Sequence, residues 1–210
     1  MTSLLIGFLF VLLVPLFVAT WRTSLLGLSL QGILLYAMAY RMEGASWSVG
    51  SALVLVDLLV LRGLVAPLLL YRVLEARRAP DRNDVLPPNL IAWAAAVGLV
   101  LLGFRLASVL LPVEGDAQMM LAAAGSAVLL GFLVLASQTG VFSQIVGVLR
   151  IENAIALFEL SGGSHPGYLG VQLGQLAIFG TSIVLFAWFL ANVDVGRPVA
   201  IESASEDLDD

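Results

Sequence analysis

The chain has 210 residues, a formal net charge of −5, and 60% hydrophobic against only 12% charged residues. A soluble domain runs nearer half apolar and a quarter charged, so the composition excludes an ordinary water-soluble enzyme and points to a chain embedded in a lipid bilayer. The absence of cysteine and the single histidine, His165, exclude disulfides, thiolate zinc sites, a self-held iron–sulfur cluster and any site built on several histidines.

A bilayer core about 30 Å thick takes roughly 20 apolar residues per helix. The sequence offers seven such stretches, at about 3–21, 24–40, 49–71, 90–111, 118–137, 141–160 and 167–192. The expected fold is therefore all-α, a polytopic transmembrane helix bundle of about seven helices. Residues 1–200 are expected to form a single transmembrane domain, with 201–210 as a solvated acidic tail. The opening stretch lacks the charged start and small-residue cleavage site of a secretory signal and reads as a retained first helix. The second span is short, and Trp21 and Tyr40 flank it as interfacial aromatics do. Pro15 and Pro67 fall inside spans, where a missing N–H kinks a helix. Gly27, Gly32, Gly125, Gly131, Gly147, Gly174 and Gly180 suit close helix contacts.

All ten basic residues are arginine, and no basic patch interleaved with aromatics marks a nucleic-acid surface. Arg72, Arg77, Arg78 and Arg82 crowd the loop at 72–89, which the positive-inside rule places in the cytoplasm. Seven spans then put the N-terminus outside and the C-terminus inside. Arg22 and Arg197 also fall inside, Arg41 outside, and the acidic loop at 112–117, with Glu114 and Asp116, outside. The expected location is the inner (cell) membrane of a bacterium or archaeon.

Ionisable side chains within a span cost several kcal/mol and persist where other helices or water shelter them. Six qualify: Asp57, Arg62, Arg105, Arg150, Glu152 and Glu159. The richest span, 141–160, carries Gln144, Arg150, Glu152, Asn153 and Glu159. Glu152 and Glu159 are seven apart and share a face, about 10 Å apart along the axis. They are candidates for an ion path, because burial disfavours the charged form of a carboxyl group and suits it to proton exchange. The alternative for Glu152 and Asn153 is simple helix-to-helix hydrogen bonding. Arg150 and Glu152 are two apart, on opposite faces, so Arg150 is expected to pair with another helix or subunit. Asp57 and Arg62 lie about 140° apart around an ideal α-helix; this makes them a poor pair within it, free to bridge to different helices. An arginine keeps its proton, so Arg62 would bias a nearby acid rather than carry a proton. Arg105 is expected to snorkel, and His165 to sit in an outer loop. Gln31, Gln138, Gln172 and Gln175 can bond helices or water. No Walker, dinucleotide-binding or Ser–His–Asp pattern occurs.

The polar pattern of SQTGVFSQIVGVLRIENAIALFEL resembles the E component of the group-four membrane-bound hydrogenases, the formate hydrogenlyase type. The matching residues are Ser137–Gln138, Gln144-Ile145-Val146-Gly147 and Glu152–Asn153. The third span is similar to the family's basic-residue-then-proline helix, with Arg62 where a lysine is usual, followed by Pro67. Gln31 matches a glutamine of its second helix. The family's second half is in turn similar to the small K subunit of respiratory complex I, which makes Glu152 the counterpart of an axial intramembrane glutamate.

The resemblance implies a non-catalytic subunit with no cofactor of its own. Its partners would be antiporter-like subunits, an H-like membrane subunit and a peripheral hydrogenase-like arm holding iron–sulfur and nickel–iron centres. It also implies a proton or sodium path through Glu152, to which the charges inside the spans add Glu159 and Asp57, with Arg62, Arg150, Asn153, Gln144 and Gln31 as partners and tuning groups. The family's last helix carries a Glu-x-Gly-x-x-x-Asp pattern, whereas YLGVQLGQLAIFG has Gln172 and Gln175 and no acid; a path there would be lost or rerouted through Glu159. Two other classes fit the residues: a subunit of a cation antiporter or ion-coupled inorganic-carbon or solute transporter without a redox partner, and a spacer whose buried charges only glue subunits together.

Overall fold

The computed structural model describes residues 1–18, 20–43, 48–78, 90–112, 115–162 and 169–192. Among the described residues the chain is all-α, with no strand. Seven helices follow in order: α1 (Thr2–Phe17), α2 (Trp21–Glu43), α3 (Val49–Ala76), α4 (Leu90–Leu110), α5 (Asp116–Ser137), α6 (Val141–Ser161) and α7 (Leu169–Asn192). The last six are long and apolar enough to cross a membrane, as expected of a multi-pass membrane protein. The first, of 16 residues, reaches about 24 Å at 1.5 Å per residue, short of a full bilayer core. His165, Arg82, Glu114, Arg197 and the acidic tail lie outside the described residues.

Helix α2 corrects the expectation of a short second span. It runs 23 residues, because backbone hydrogen bonding continues past the apolar window through Arg22 and Thr23 at one end and Arg41 at the other. Trp21 is buried rather than a free interfacial anchor; its ring packs on Tyr71, with centroids 5.5 Å apart. Helix α3 starts on a side-chain cap, the Ser51 amide donating to Ser48 Oγ at 3.0 Å. It runs on to Ala76, and just beyond it Arg78 takes a positive φ of 48°.

Helix α6 is the axis of the bundle. Of its apolar window 61% is buried, against 22% for α4 and 17% for α7, which makes those two the peripheral helices. Helix α5 packs along α4 on one side and α6 on the other, while α2 packs against α1, α6 and the middle of α3. Helix α7 leans on both ends of α3 and touches α6. Two apolar clusters result. One gathers α1, α2, α3, α5 and α6 around Phe8, Leu35, Met38, Leu58 and Leu157; the other gathers Leu28, Leu70, Leu149, Phe179 and Ile183.

The middle of α3, Asp57–Val65, is π-helical. Pro67 follows it, and the sequence supplies the reason. Proline has no N–H to offer the carbonyl four residues back, which is that of Gly63. The Ser29 hydroxyl of α2 takes the vacated role, donating to Gly63 O at 2.6 Å. The Ala66 amide reaches back five residues, to Leu61 O, the bonding pattern of a π-helix. Gly32 of α2 lies directly against this stretch: a Cβ there would overlap Gly63 N and stand 2.6 Å from Gly63 Cα. Gly174 on α7 has open space at the same test, so the glycines of the sequence do not all serve close packing.

This difference is measurable. Gly32→Ala must push the α2 and α3 backbones apart and is expected to lower the melting temperature of the detergent-solubilised protein by several degrees. Gly174→Ala is expected to leave it unchanged or raise it slightly, since alanine is the better helix former by about 1 kcal/mol. Thermal unfolding followed by size-exclusion chromatography compares the two.

Candidate functional site: a guanidinium clamp at the centre of the bundle

Arg62 projects from the π-helical stretch into the bundle and is 8% exposed. Its Nε donates to Asp57 Oδ2 at 2.8 Å, and its Nη1 donates to Asn153 Oδ1 on α6 at 3.2 Å. The face of the guanidinium lies 3.9 Å from the ring centroid of Phe179 on α7, well within range for a cation–π contact. Asn153 Nδ2 in turn donates to Gln31 Oε1 on α2, over a longer 3.5 Å. One arginine thus ties together α3, α6 and α7 and, through Asn153, α2.

The Asp57–Arg62 contact overturns the expectation of a poor pair. That expectation used the turn of an α-helix. A π-helix bonds each residue to the one five positions away, so residues 57 and 62 come onto one face and form an ion pair. The four-residue spacing from Gly63 to Pro67 was the available signal for irregular winding here. Phe179 and Ser29 were missed for a different reason: nothing in an aromatic or a lone serine on a helix declares the group it meets.

The remaining candidates divide by position. Glu152 is the chain neighbour of Asn153, half-buried, and within electrostatic reach of both Arg62 and Asp57. Glu159, two turns on, feels the same two charges but is exposed. Its Oε1 accepts from Gln175 Nε2 of α7 at 2.7 Å, so the last helix answers this acid with an amide. Gln172, one turn earlier on α7, lies against the start of α3; a Cβ at Gly50 would come 2.9 Å from its Oε1.

Arg150 is 2% exposed and engaged within the protein, on the stretch of α6 just before Glu152. Gln144 is not part of the cluster. It is exposed near the start of α6, about 14 Å along the axis from Asn153. Arg105 is also exposed, on peripheral α4. Among the described residues, Gln31 Nε2, Asp57 Oδ1 and Gln172 Oε1 are buried polar atoms with no hydrogen-bond partner. Among the described residues no three His, Asp or Glu side chains gather as a metal site.

Chemically, the arrangement holds one permanent cation, one carboxylate paired to it and two further carboxylates within its field. Carboxylates grouped around a fixed cation can bias one another and attract small cations. Comparison with family models, curated proteins and solved structures finds no match for the chain.

Removing one member of a buried ion pair strands the other and costs about 3–5 kcal/mol. Asp57→Asn is accordingly expected to destabilise the protein severely. The double variant Asp57→Leu with Arg62→Met removes both charges and is expected to recover most of that loss. Phe179→Leu removes only the ring beneath the cation and should cost about 0.5–2 kcal/mol. Melting temperatures of these three variants check the ranking.

Proposed function

We propose that the chain is a non-catalytic membrane subunit of a complex-I-like or group-four-hydrogenase-like respiratory assembly, which it scaffolds and to which it contributes a proton or sodium path through Glu152. The supporting observation is convergence. Gln31, Arg62, Pro67, Glu152 and Asn153 carry the family resemblance from three separate spans. Gln31, Arg62 and Asn153 meet in one hydrogen-bonded chain, Glu152 sits in the field of Arg62, and Pro67 ends the π-helical stretch that presents Arg62. Residues matched to the family only by sequence order thus share one interior site.

On this reading redox chemistry belongs to the partners, an iron–sulfur and nickel–iron arm, and the membrane neighbours are antiporter-like and H-like subunits. The chain sits in the cell membrane with the arginine-rich end of α3 towards the cytoplasm, as the positive-inside rule requires. Glu159, hydrogen-bonded to Gln175, supplies on α6 the acid that α7 lacks.

Two measurements test the proposal. Purification of the tagged chain from gently solubilised membranes is expected to bring down iron–sulfur proteins. Recovery of antiporter-like or carbonic-anhydrase-like proteins alone would favour a transporter without a redox partner. Glu152→Gln keeps the side chain's shape and removes its charge. The variant is expected to assemble normally and to lose most ion translocation coupled to the redox reaction. Normal pumping by a fully assembled Glu152→Gln complex leaves only the spacer role.

A further inference from the structure

The acids inside the spans, Asp57, Glu152 and Glu159, lie in one half of the bundle, whereas exposed Glu75 sits at the opposite end of α3, where it accepts from the Tyr71 hydroxyl at 3.0 Å. Glu159 is two residues from the end of α6, Glu152 nine residues from the same end, and Asp57 eight residues from the start of α3. At 1.5 Å per residue these are depths of about 3, 14 and 12 Å. Helix α7 starts on this side and lines it with a matching face: Gln172, Gln175 and Phe179 recur at the three- and four-residue spacing that places side chains in a row. The row runs from the Gly50–Gln172 contact, through the Gln175–Glu159 hydrogen bond, to the ring under Arg62.

Two buried acceptors in the same half, Gln172 Oε1 and Asp57 Oδ1, have no donor. Lipid tails offer none, so water is the mobile donor available at that depth.

The deeper half is built differently. Arg62, 8% exposed, puts a guanidinium group at the floor, and buried arginine repels incoming cations and protons, as it does in selective pores. Below it Leu70, Ile145, Val146 and Ile183 belong to a buried apolar layer. Among the described residues, the buried polar ones of that half, Ser24, Gln138 and Ser143, include no carboxylate and are each engaged within the protein.

We infer that the polar row between α3, α6 and α7 is a one-sided, water-filled access path, open at the Gln172–Gln175–Glu159 rim and closed at the Arg62–Phe179 contact. Through it Glu152 exchanges protons with one face of the membrane only. The inference rests on the ion-path reading of Glu152 and specifies its direction: this chain by itself is not a conduit from face to face.

The chain has no cysteine of its own, so single cysteines report on it without background. A thiol reacts as its thiolate, which forms where water reaches it. The tagged subunit, carrying Gln175→Cys, Glu152→Cys or Ile183→Cys in turn, is assembled in its native membranes. Right-side-out and inside-out vesicles are treated with a charged methanethiosulfonate, followed by a fluorescent maleimide under denaturing conditions to count the thiols left.

Gln175→Cys and Glu152→Cys are expected to be modified from the same single face, the deeper site at least tenfold more slowly. Ile183→Cys is expected to stay unmodified from both faces. Reaction of Glu152→Cys from both faces, from neither, or from the face opposite Gln175→Cys overturns the one-sided path. So does modification of Ile183→Cys. Should Glu152→Cys fail to assemble, Gly50→Cys at the rim and Val146→Cys below the floor make the same comparison. The labelling pattern is independent of transport. A Glu152→Gln complex that loses coupling while these thiols react from both faces defeats the sidedness and spares the function; the converse result does the opposite.

Discussion

A guanidinium that keeps its proton at every accessible pH has to be solvated wherever the fold puts it, and at the centre of an apolar bundle the protein must supply that solvation. Arg62 obtains it from a carboxylate, an amide oxygen and an aromatic face, drawn from three helices. Much of the remaining architecture answers this demand. The π-helical winding brings Asp57 round to the cation, Gly32 lets α2 close on the widened backbone, and Ser29 caps the carbonyl that Pro67 leaves without an amide. Helix α7, the least buried of the membrane helices, is joined to the core at this depth by the Arg62–Phe179 contact.

The strongest features of the fold were legible without coordinates because they are long-range averages. Six of the seven apolar stretches coincide with long helices, since the length an apolar run needs is set by the bilayer and not by neighbours. Span ends were less legible. Helix α2 extends past its apolar window at both ends because backbone hydrogen bonds continue into the interfacial region whatever the side chains, and α1 stops at Phe17, two residues beyond Pro15.

The site was legible in its members and not in its wiring. Gln31, Asp57, Arg62 and Asn153 stand out because polar groups are costly in hydrocarbon, and cost is a property of one residue. Which of them touch depends on helix rotation and local winding. The 140° separation of Asp57 and Arg62 is correct for an α-helix and irrelevant in the nine-residue stretch that is not one. Gln144 belongs to the same polar span as Asn153, yet it sits exposed towards the other end of α6. Phe179 gave no signal, being one of ten phenylalanines.

The hydrogen bonds around Arg62 also carry a polarity that begins with its chemistry. A guanidinium only donates, so Asn153 must turn its carbonyl oxygen towards it. The amide nitrogen of Asn153 is then left to face Gln31, which answers with its own oxygen and presents its Nε2 onward. Neither amide can flip without setting donor against donor or acceptor against acceptor. A single arginine on α3 therefore dictates the orientation of a glutamine on α2, with α6 as the intermediary, and whatever next meets Gln31 Nε2 has to arrive with a lone pair.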